Sequence, residues 1–371
     1  MSTYIIVGAG ILGASTAYHL AKVGATVTLI DRGDKGQATD AAAGIVCPWL
    51  TQRRNKAWYQ LAKNGARYYP ELINELKELG ETETGYAKVG AISLHTDESK
   101  LIKMEERARA RLEDAPEIGE ITRLSPIEAK ELLPVLADGY GAVHVSGAAR
   151  VNGRALREAL INAAKKYGAT YLEGEAHLIH EGNQVRGAKL GAESMYADQV
   201  IVTAGAWAKE LFQPLGVTFK IEPQKAQIVH LELPNTDTLT WPVVMPPNNQ
   251  YLLSLEDGRI VIGATHEDEK GYDRRPTLGG MYEVFDKALS IAPGLADCTV
   301  LETRVGFRPV APNFLPIIGP LPNWDGILLA NGLGASGLTA GPYLGGELAK
   351  LALEQPTEID IELYDVAGAV E

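Results

Sequence analysis

The stretch from Tyr4 to Asp31, YIIVGAGILGASTAYHLAKVGATVTLID, constrains this chain more than any other. Tyr4 to Val7 has the composition of a short buried strand, and Thr26 to Ile30 that of a second. Between them Gly8, Gly10 and Gly13 open a helix whose spacing runs to about Val23. A strand–helix–strand unit with that glycine spacing is the dinucleotide fingerprint in its required setting. Gly8 suits the tight turn, Gly10 lets backbone approach a pyrophosphate, and Gly13 lets the helix pack close to the sheet. The helix start, Ile11 and Leu12, offers N–H groups and the positive dipole end to phosphates. Asp31, followed by Arg32, ends the second strand where a carboxylate accepts from a ribose hydroxyl. His19 and Lys22 interrupt the apolar run, and no basic segment precedes it, so neither a membrane span nor a signal peptide is expected.

With 371 residues the chain exceeds one ordinary core, and two domains are expected. Its 35 basic and 47 acidic residues give a net charge of −12. An acidic surface repels phosphate backbones, which counts against nucleic acid as the main partner. Cys47 and Cys298 have no metal-ligand spacing and suggest no disulfide framework, so no metal site is expected. With no targeting segment, the expected location is a reducing cytoplasm.

After the fingerprint, Thr39 or Asp40 is placed to cap a helix starting at Ala41–Ala42–Ala43. These small residues and Gly44 let a large flat ligand lie against backbone. Leu61, Tyr68, Leu72, Leu76 and Leu79 give a helical stripe from Trp58 to Leu79, read as core and ended by Gly80. Val89 to His95 is strand-like, Ser99 to Glu113 is a charged helix read as a solvated face, and Ser125–Pro126–Ile127–Glu128 is a capping box. Gly141 to Val145 is a further strand. Asn152 to Tyr167 is amphipathic, and strands follow near Thr170–Glu173, Gln184–Leu190 and Gln199–Thr203. The last runs into Ala204–Gly205–Ala206–Trp207, small residues suited to a second backbone approach to the same dinucleotide.

From Val217 to Val305 the pattern is β-rich. Ile228 to Leu233 alternates as a half-buried strand does. Tyr251–Leu255 and Arg259–Thr265 flank Asp257–Gly258, a two-residue hairpin signal. With that pair at the turn centre, Tyr251 faces Ala264, and Tyr251, Ala264 and His266 share one face. Near the end, Gly326 to Ala330 reads as a buried strand, Asn331 to Gly337 as a glycine-rich loop and Thr339 onwards as a helix. This second strand–loop–helix unit presents another ring of N–H groups. Arg304 and Arg308 precede it among prolines, and an arginine buried there needs an anionic partner.

Four places now combine: Gly8/Gly10/Gly13 with Asp31, Thr39 to Gly44, Thr203 to Trp207, and Gly306–Phe307–Arg308–Pro309 followed by Leu315 to Gly319 and the glycine loop. In this order, over nearly the whole chain, they resemble the D-amino acid oxidase-type family of FAD-dependent oxidoreductases, in the branch of glycine oxidase, D-amino acid dehydrogenase and monomeric sarcosine oxidase. The resemblance implies an α/β fold with a Rossmann-like FAD-binding domain built from residues 1–87, 146–215 and 302–371. An α+β substrate domain, residues 88–145 and 216–301, is inserted and built on a mostly antiparallel sheet. FAD contacts are expected from Gly8, Gly10, Ile11, Leu12, Gly13, Asp31, Arg32, Thr39, Ala42, Ala43, Gly44, Ala204, Gly205 and Trp207. Gly332, Gly334, Ala335, Ser336, Gly337, Leu338 and Thr339 are expected under the flavin.

By the same resemblance Arg308 pairs with a substrate carboxylate, and Tyr251 and His266 line the pocket; His266, with an unperturbed pKa near neutrality, is the candidate to assist amine deprotonation. The implied reaction oxidises the C–N bond of a small amino or imino acid, of glycine, sarcosine or D-amino acid type, with oxygen or an electron carrier as acceptor. The alternatives are a 2-hydroxy acid dehydrogenase, a tRNA-modifying flavoprotein, against which the acidic charge speaks, and a flavin-binding sensor without catalysis. Two departures from the branch stand out. Glycine oxidase-like proteins carry an additional arginine in the glycine loop, where Ala335 or Ser336 stands here. Sarcosine oxidases tether flavin through a cysteine near the Gly306–Phe307 position, where this chain has none, so the FAD is expected to be non-covalent. A homo-oligomer is left open.

Overall fold

The computed structural model describes residues 2–256 and 258–371. Among them, the strands gather in two large sheets and two small ones. The first large sheet runs in the order Ile317–Pro320, Ile327–Asn331, Gln199–Val202, Thr3–Val7, Thr26–Asp31 and Thr170–Glu173. All its ladders are parallel except that of Ile317–Pro320 with Ile327–Asn331. Parallel strands covered on both faces read as unbroken apolar runs, and Ile5, Ile6, Leu29, Ile30, Val200 and Ile201 are all buried.

The helices Ile11–Lys22 and Gly337–Ala352 cross on this sheet at close range. Small residues make the approach possible: a Cβ on Gly345 would lie 2.6 Å from that of Ser15, whose hydroxyl donates to the Pro342 carbonyl at 2.6 Å. The first helix is equally close to the sheet, since a Cβ on Gly13 would stand 1.9 Å from the Gly8 oxygen. Gly13 and Gly345 thus let these helices approach the nucleotide turn and each other.

The second large sheet runs Thr299–Val310, Glu222–Glu232, Arg259–Gly263, Tyr251–Ser254, Val243–Met245, Ala91–His95, Gly141–Val145 and Ile121–Leu124. It is mixed: Val243–Met245 pairs in parallel with Ala91–His95, where two segments distant in sequence meet, and the other ladders are antiparallel. Its strand Thr299–Val310 contains the domain boundary expected at residue 302, so Arg304 and Arg308 stand on this sheet. Ala176–Glu181, Gln184–Leu190 and Glu193–Tyr196 form a small sheet whose outer strands, short and mostly exposed, lack a clear apolar period.

Three local expectations change. The short helix is Ala38–Ala41, and neither Thr39 nor Asp40 caps it. Thr39 Oγ1 instead accepts from the Ile11 N–H at 3.0 Å, and Asp40 pairs with Arg157 at 2.8 Å. The strand Glu222–Glu232 is buried from Lys225 to Leu231 rather than on one face, because its second face is covered by the helix Leu278–Ile291. Tyr251 pairs with Gly263, not Ala264. The Leu255 N–H bonds the Arg259 oxygen at 2.7 Å, so three residues rather than two make the loop, with Gly258 at φ +77. Asp257, placed at the turn centre from sequence, lies outside the described residues.

Candidate active site

The two large sheets share one cavity of about 1020 Å³. Its wall brings together Gly8, Gly10, Ile11, Leu12 and Asp31 with Thr39, Ala42, Ala43 and Gly44, and with Ala204, Gly205 and Trp207. Gly332, Gly334, Ala335, Ser336, Gly337, Leu338 and Thr339 line it, as do Tyr251, His266 and Arg308 from the second sheet. Two expected residues do not. Gly13 faces the Gly8 carbonyl and serves packing. Arg32 is drawn away by three carboxylates, Asp34 at 2.7 Å, Glu175 at 2.9 Å and Glu210 at 3.0 Å.

Among the helices of seven residues or more, two starts on this cavity lack a side-chain cap. The helices starting at Lys56, Glu98, Pro126, Gly153 and Leu278 each have a side-chain cap, from Asn55, Asp97, Ser125, Asn152 and Thr277. The helices starting at Ile11 and Gly337 have no cap from their N-cap residue, although Thr39 Oγ1 accepts the Ile11 N–H at 3.0 Å. Uncapped first-turn N–H groups and the positive end of the dipole favour anionic groups in front of them. Gly8 holds φ +105, and a Cβ there would lie 2.7 Å from the Thr203 carbonyl, so the backbone remains bare at the turn. Asp31 is buried and accepts from Ala9 N–H at 2.6 Å, Gly33 N–H at 2.7 Å and Gln37 Nε2 at 2.7 Å. One carboxylate therefore organises the loops on both sides of the turn. A dinucleotide with a flat ring fits this arrangement: a bare turn, two open helix starts and a floor of alanines and glycines.

The catalytic candidates stand on the second sheet. Arg308 Nη1 donates to Gln224 Oε1 at 3.1 Å and to the Thr265 carbonyl at 3.2 Å. Both acceptors are neutral, and no carboxylate pairs with this guanidinium among the described residues. Burial lowers the Arg308 pKa, and Tyr251 opposes that shift. Burial pushes the Tyr251 pKa up to about 12. Its hydroxyl lies over Gly263, where a Cβ would stand 3.1 Å away. His266 sits on the wall after the strand has ended, and burial first, then the Arg308 charge, lowers its pKa. Cys47 also faces the cavity, its thiol pushed up to about 12 by burial. Trp207 is fixed by stacking on Tyr272 at 5.4 Å and by the edge of Phe307 at 6.0 Å.

Sequence reasoning missed part of the wall. Trp58 was assigned to core, yet its indole N–H donates to Ser336 Oγ at 2.9 Å. The helix Glu98–Leu112 is solvated on one side only: Lys100, Lys103, Met104 and Arg107 line the cavity. Their i, i+3, i+4, i+7 spacing was the available signal, a cationic stripe around one methionine. Among the described residues no group of three His, Cys, Asp or Glu could hold a metal ion, and no helix is long and apolar enough to cross a membrane.

A fingerprinted parallel sheet that shares its cavity with a second sheet carrying an unpaired arginine defines a dinucleotide-dependent oxidoreductase. The family model for FAD dependent oxidoreductases, DAO, matches residues 3–351, and the chain belongs to that family. It is an FAD-dependent oxidoreductase, as its motifs indicated. It is 64% identical to the oxidoreductase YurR of Bacillus subtilis (strain 168) over the full length of both chains. It is 31% identical to a glycine oxidase of Pseudomonas aeruginosa, covering 98% of each. Among solved structures, the iminodiacetate oxidase of Chelativorans sp. BNC1 is similar with a TM-score of 0.95 and 47% identity, covering 98% of each chain.

Proposed function

We propose that this protein oxidises the carbon–nitrogen bond of a small amino or imino acid whose carboxylate is held by Arg308. The observation that carries this reading is the Arg308 guanidinium: facing a cavity, bonded to two neutral oxygens and to no carboxylate. A partly buried cation without a counter-ion is unfavourable, and a bound carboxylate neutralises it through two parallel N–H bonds. The names of the glycine oxidase and iminodiacetate oxidase relatives support an amine rather than a hydroxy acid.

FAD supplies the chemistry when bound, accepting the Cα hydrogen with two electrons. Gly8, Gly10 and the open helix start at Ile11 would hold its pyrophosphate, and Asp31 its ribose. Ala42, Ala43, Gly44, Ala204, Gly205 and Trp207 would give it backbone and ring contacts. The loop and helix start from Gly332 to Thr339 would hold the flavin ring and stabilise negative charge on it.

This chain's residues orient the substrate. Arg308 fixes the carboxylate, and Tyr251, protonated at neutral pH, donates to it. His266, kept neutral by its lowered pKa, can accept the ammonium proton so that the amine is oxidised as the free base. The ammonium loses that proton, and the resulting free amine loses the Cα hydrogen with its electron pair, giving a protonated imine. Water then hydrolyses the imine to an oxo acid and an amine or ammonia. Burial keeps the Cys47 thiol protonated near neutral pH, and no cysteine stands near Gly306–Phe307, so the FAD would be held without a covalent tether. The segments 1–87 and 146–215, with the chain beyond Val310, make the cofactor half; the mixed sheet makes the substrate half.

The test is an anaerobic screen of the purified yellow protein with amino acids, N-substituted amino acids and 2-hydroxy acids. Bleaching by amines with release of oxo acid is expected. Bleaching by hydroxy acids alone would overturn the reading. Peroxide formation in air assigns the acceptor, and release of the flavin by acid denaturation tests the non-covalent attachment.

A further inference from the structure

The cavity carries more positive charge than one carboxylate neutralises. Besides Asp31, the charged Asp, Glu, Lys and Arg side chains in its described wall are all cationic: Arg53, Lys100, Lys103, Arg107 and Arg308. This holds in a chain whose net charge is −12. Arg308 stands on the strand Thr299–Val310, whereas the other four belong to a separate corner.

Contacts define that corner. The Arg53 guanidinium lies 4.6 Å from the centre of the Trp58 ring, and the Trp58 N–H donates to Ser336 Oγ at 2.9 Å. Arg53 is therefore one indole away from the glycine loop. Arg111, one turn beyond Arg107, donates to the Thr51 carbonyl at 2.9 Å, which ties the segment carrying Arg53 to the helix Glu98–Leu112. Arg107 Nε is buried with no hydrogen-bond partner, and its Nη1 reaches only the Lys103 carbonyl, at 3.3 Å. Among the described residues no carboxylate pairs with Arg53, Lys103 or Arg107. The buried Arg107 N–H without an acceptor is unfavourable, and like charges gathered at the exposed Arg53 and Lys103 repel one another. The open amides for phosphate lie elsewhere, at the helix start on the parallel sheet.

We propose that Arg53 and Arg107, with Lys103 beside them, take a second carboxylate, and that the preferred substrates are amine diacids. The inference rests on the reading of Arg308 as the holder of the first carboxylate. Arg53 offers a planar fork stacked on an aromatic face, and Arg107 offers an unused donor. Lys100 and Lys103 extend the positive field toward solvent and draw a dianion inward.

The test compares iminodiacetate with N-methylglycine, which has the same secondary amine and one carboxylate. In the FAD-loaded protein kcat/KM should favour the diacid by about tenfold or more. Arg53→Gln and Arg107→Gln should each cut that ratio by about tenfold, and Arg53→Lys should restore part of it. Binding is read without turnover by titrating thiodiacetate against (methylthio)acetate, following the visible spectrum of the bound flavin. Tighter binding of thiodiacetate, lost in Arg53→Gln, supports the second anchor. Equal affinity for both acids in the unmodified protein, or equal weakening of both in the variants, overturns it. A protein that prefers thiodiacetate but oxidises no amine refutes the reaction proposed above while keeping the diacid site.

Discussion

Arg308 donates to the main-chain oxygen of Thr265 at 3.2 Å, although Thr265 lies just beyond the strand Arg259–Gly263, which is not a neighbour of the Arg308 strand in the sheet. The strand Glu222–Glu232 lies between them and adds Gln224 Oε1 at 3.1 Å. The guanidinium is thus positioned by neutral acceptors before any anion arrives, a preorganised site rather than a neutralised one.

Arg308→Met should therefore remove substrate binding without unfolding the site. A partner of a buried charge-assisted contact is worth roughly 2–5 kcal/mol, so kcat/KM should fall by about 30-fold or more. The loss should appear chiefly in KM, measured by steady-state kinetics, with the flavin colour retained. Unchanged kinetics would remove Arg308 from the substrate site.

Asp31→Asn should weaken FAD. The carboxylate accepts three N–H bonds at 2.6–2.7 Å from Ala9, Gly33 and Gln37, and an amide cannot accept them all. A loss of roughly 1–3 kcal/mol is expected. The check is the flavin-to-protein absorbance ratio after desalting, which should drop well below that of the parent.

Gly13→Ala should push the first helix off the sheet, because its Cβ would meet the Gly8 oxygen at 1.9 Å. Overpacking of this kind costs roughly 1–3 kcal/mol, and FAD occupancy should fall with the melting midpoint. Gly279→Ala is the matched control: nothing lies within 4 Å of its Cβ, and it sits in the helix Leu278–Ile291. There the midpoint should hold or rise slightly.

Acid should destabilise the fold through His230. This side chain is 2% exposed, with neither ring nitrogen hydrogen-bonded. Burial first, then the Arg304 charge, lowers its pKa from 6.5 to about 4, Glu302 opposing and Arg259 and Arg154 adding. The unfolded chain then binds a proton that the folded chain refuses. The stabilisation is complete above 6.5 and is lost as pH falls toward 4. Melting midpoints measured from pH 7 to pH 5 should decline, and less steeply in His230→Gln. An identical slope in that variant would clear His230 of the effect.

Much of the cofactor half was legible because its signals are local. The glycine spacing, the alternation of apolar strand with small-residue turn and the acid after the second strand each follow from backbone sterics within a few residues. The capping box at Ser125 and Glu128 and the Asn152 cap are local in the same sense. The hairpin was located, but its register was not: a one-residue longer loop changes every cross-strand partner, so Tyr251 meets Gly263.

What the sequence alone determined was the nucleotide turn, the two glycine-led helix starts and the presence of an arginine needing an anion. Only the tertiary structure decided which cations share the cavity. Arg32 was diverted by Glu175 and Glu210, far along the chain, while Arg53 was brought near the glycine loop through Trp58, and the helix carrying Arg107 was tied to the Arg53 segment through Arg111 and Thr51. The physical reason is that charge pairing acts through space: a side chain's partner is set by where strands and helices meet, which nearest neighbours in sequence do not encode.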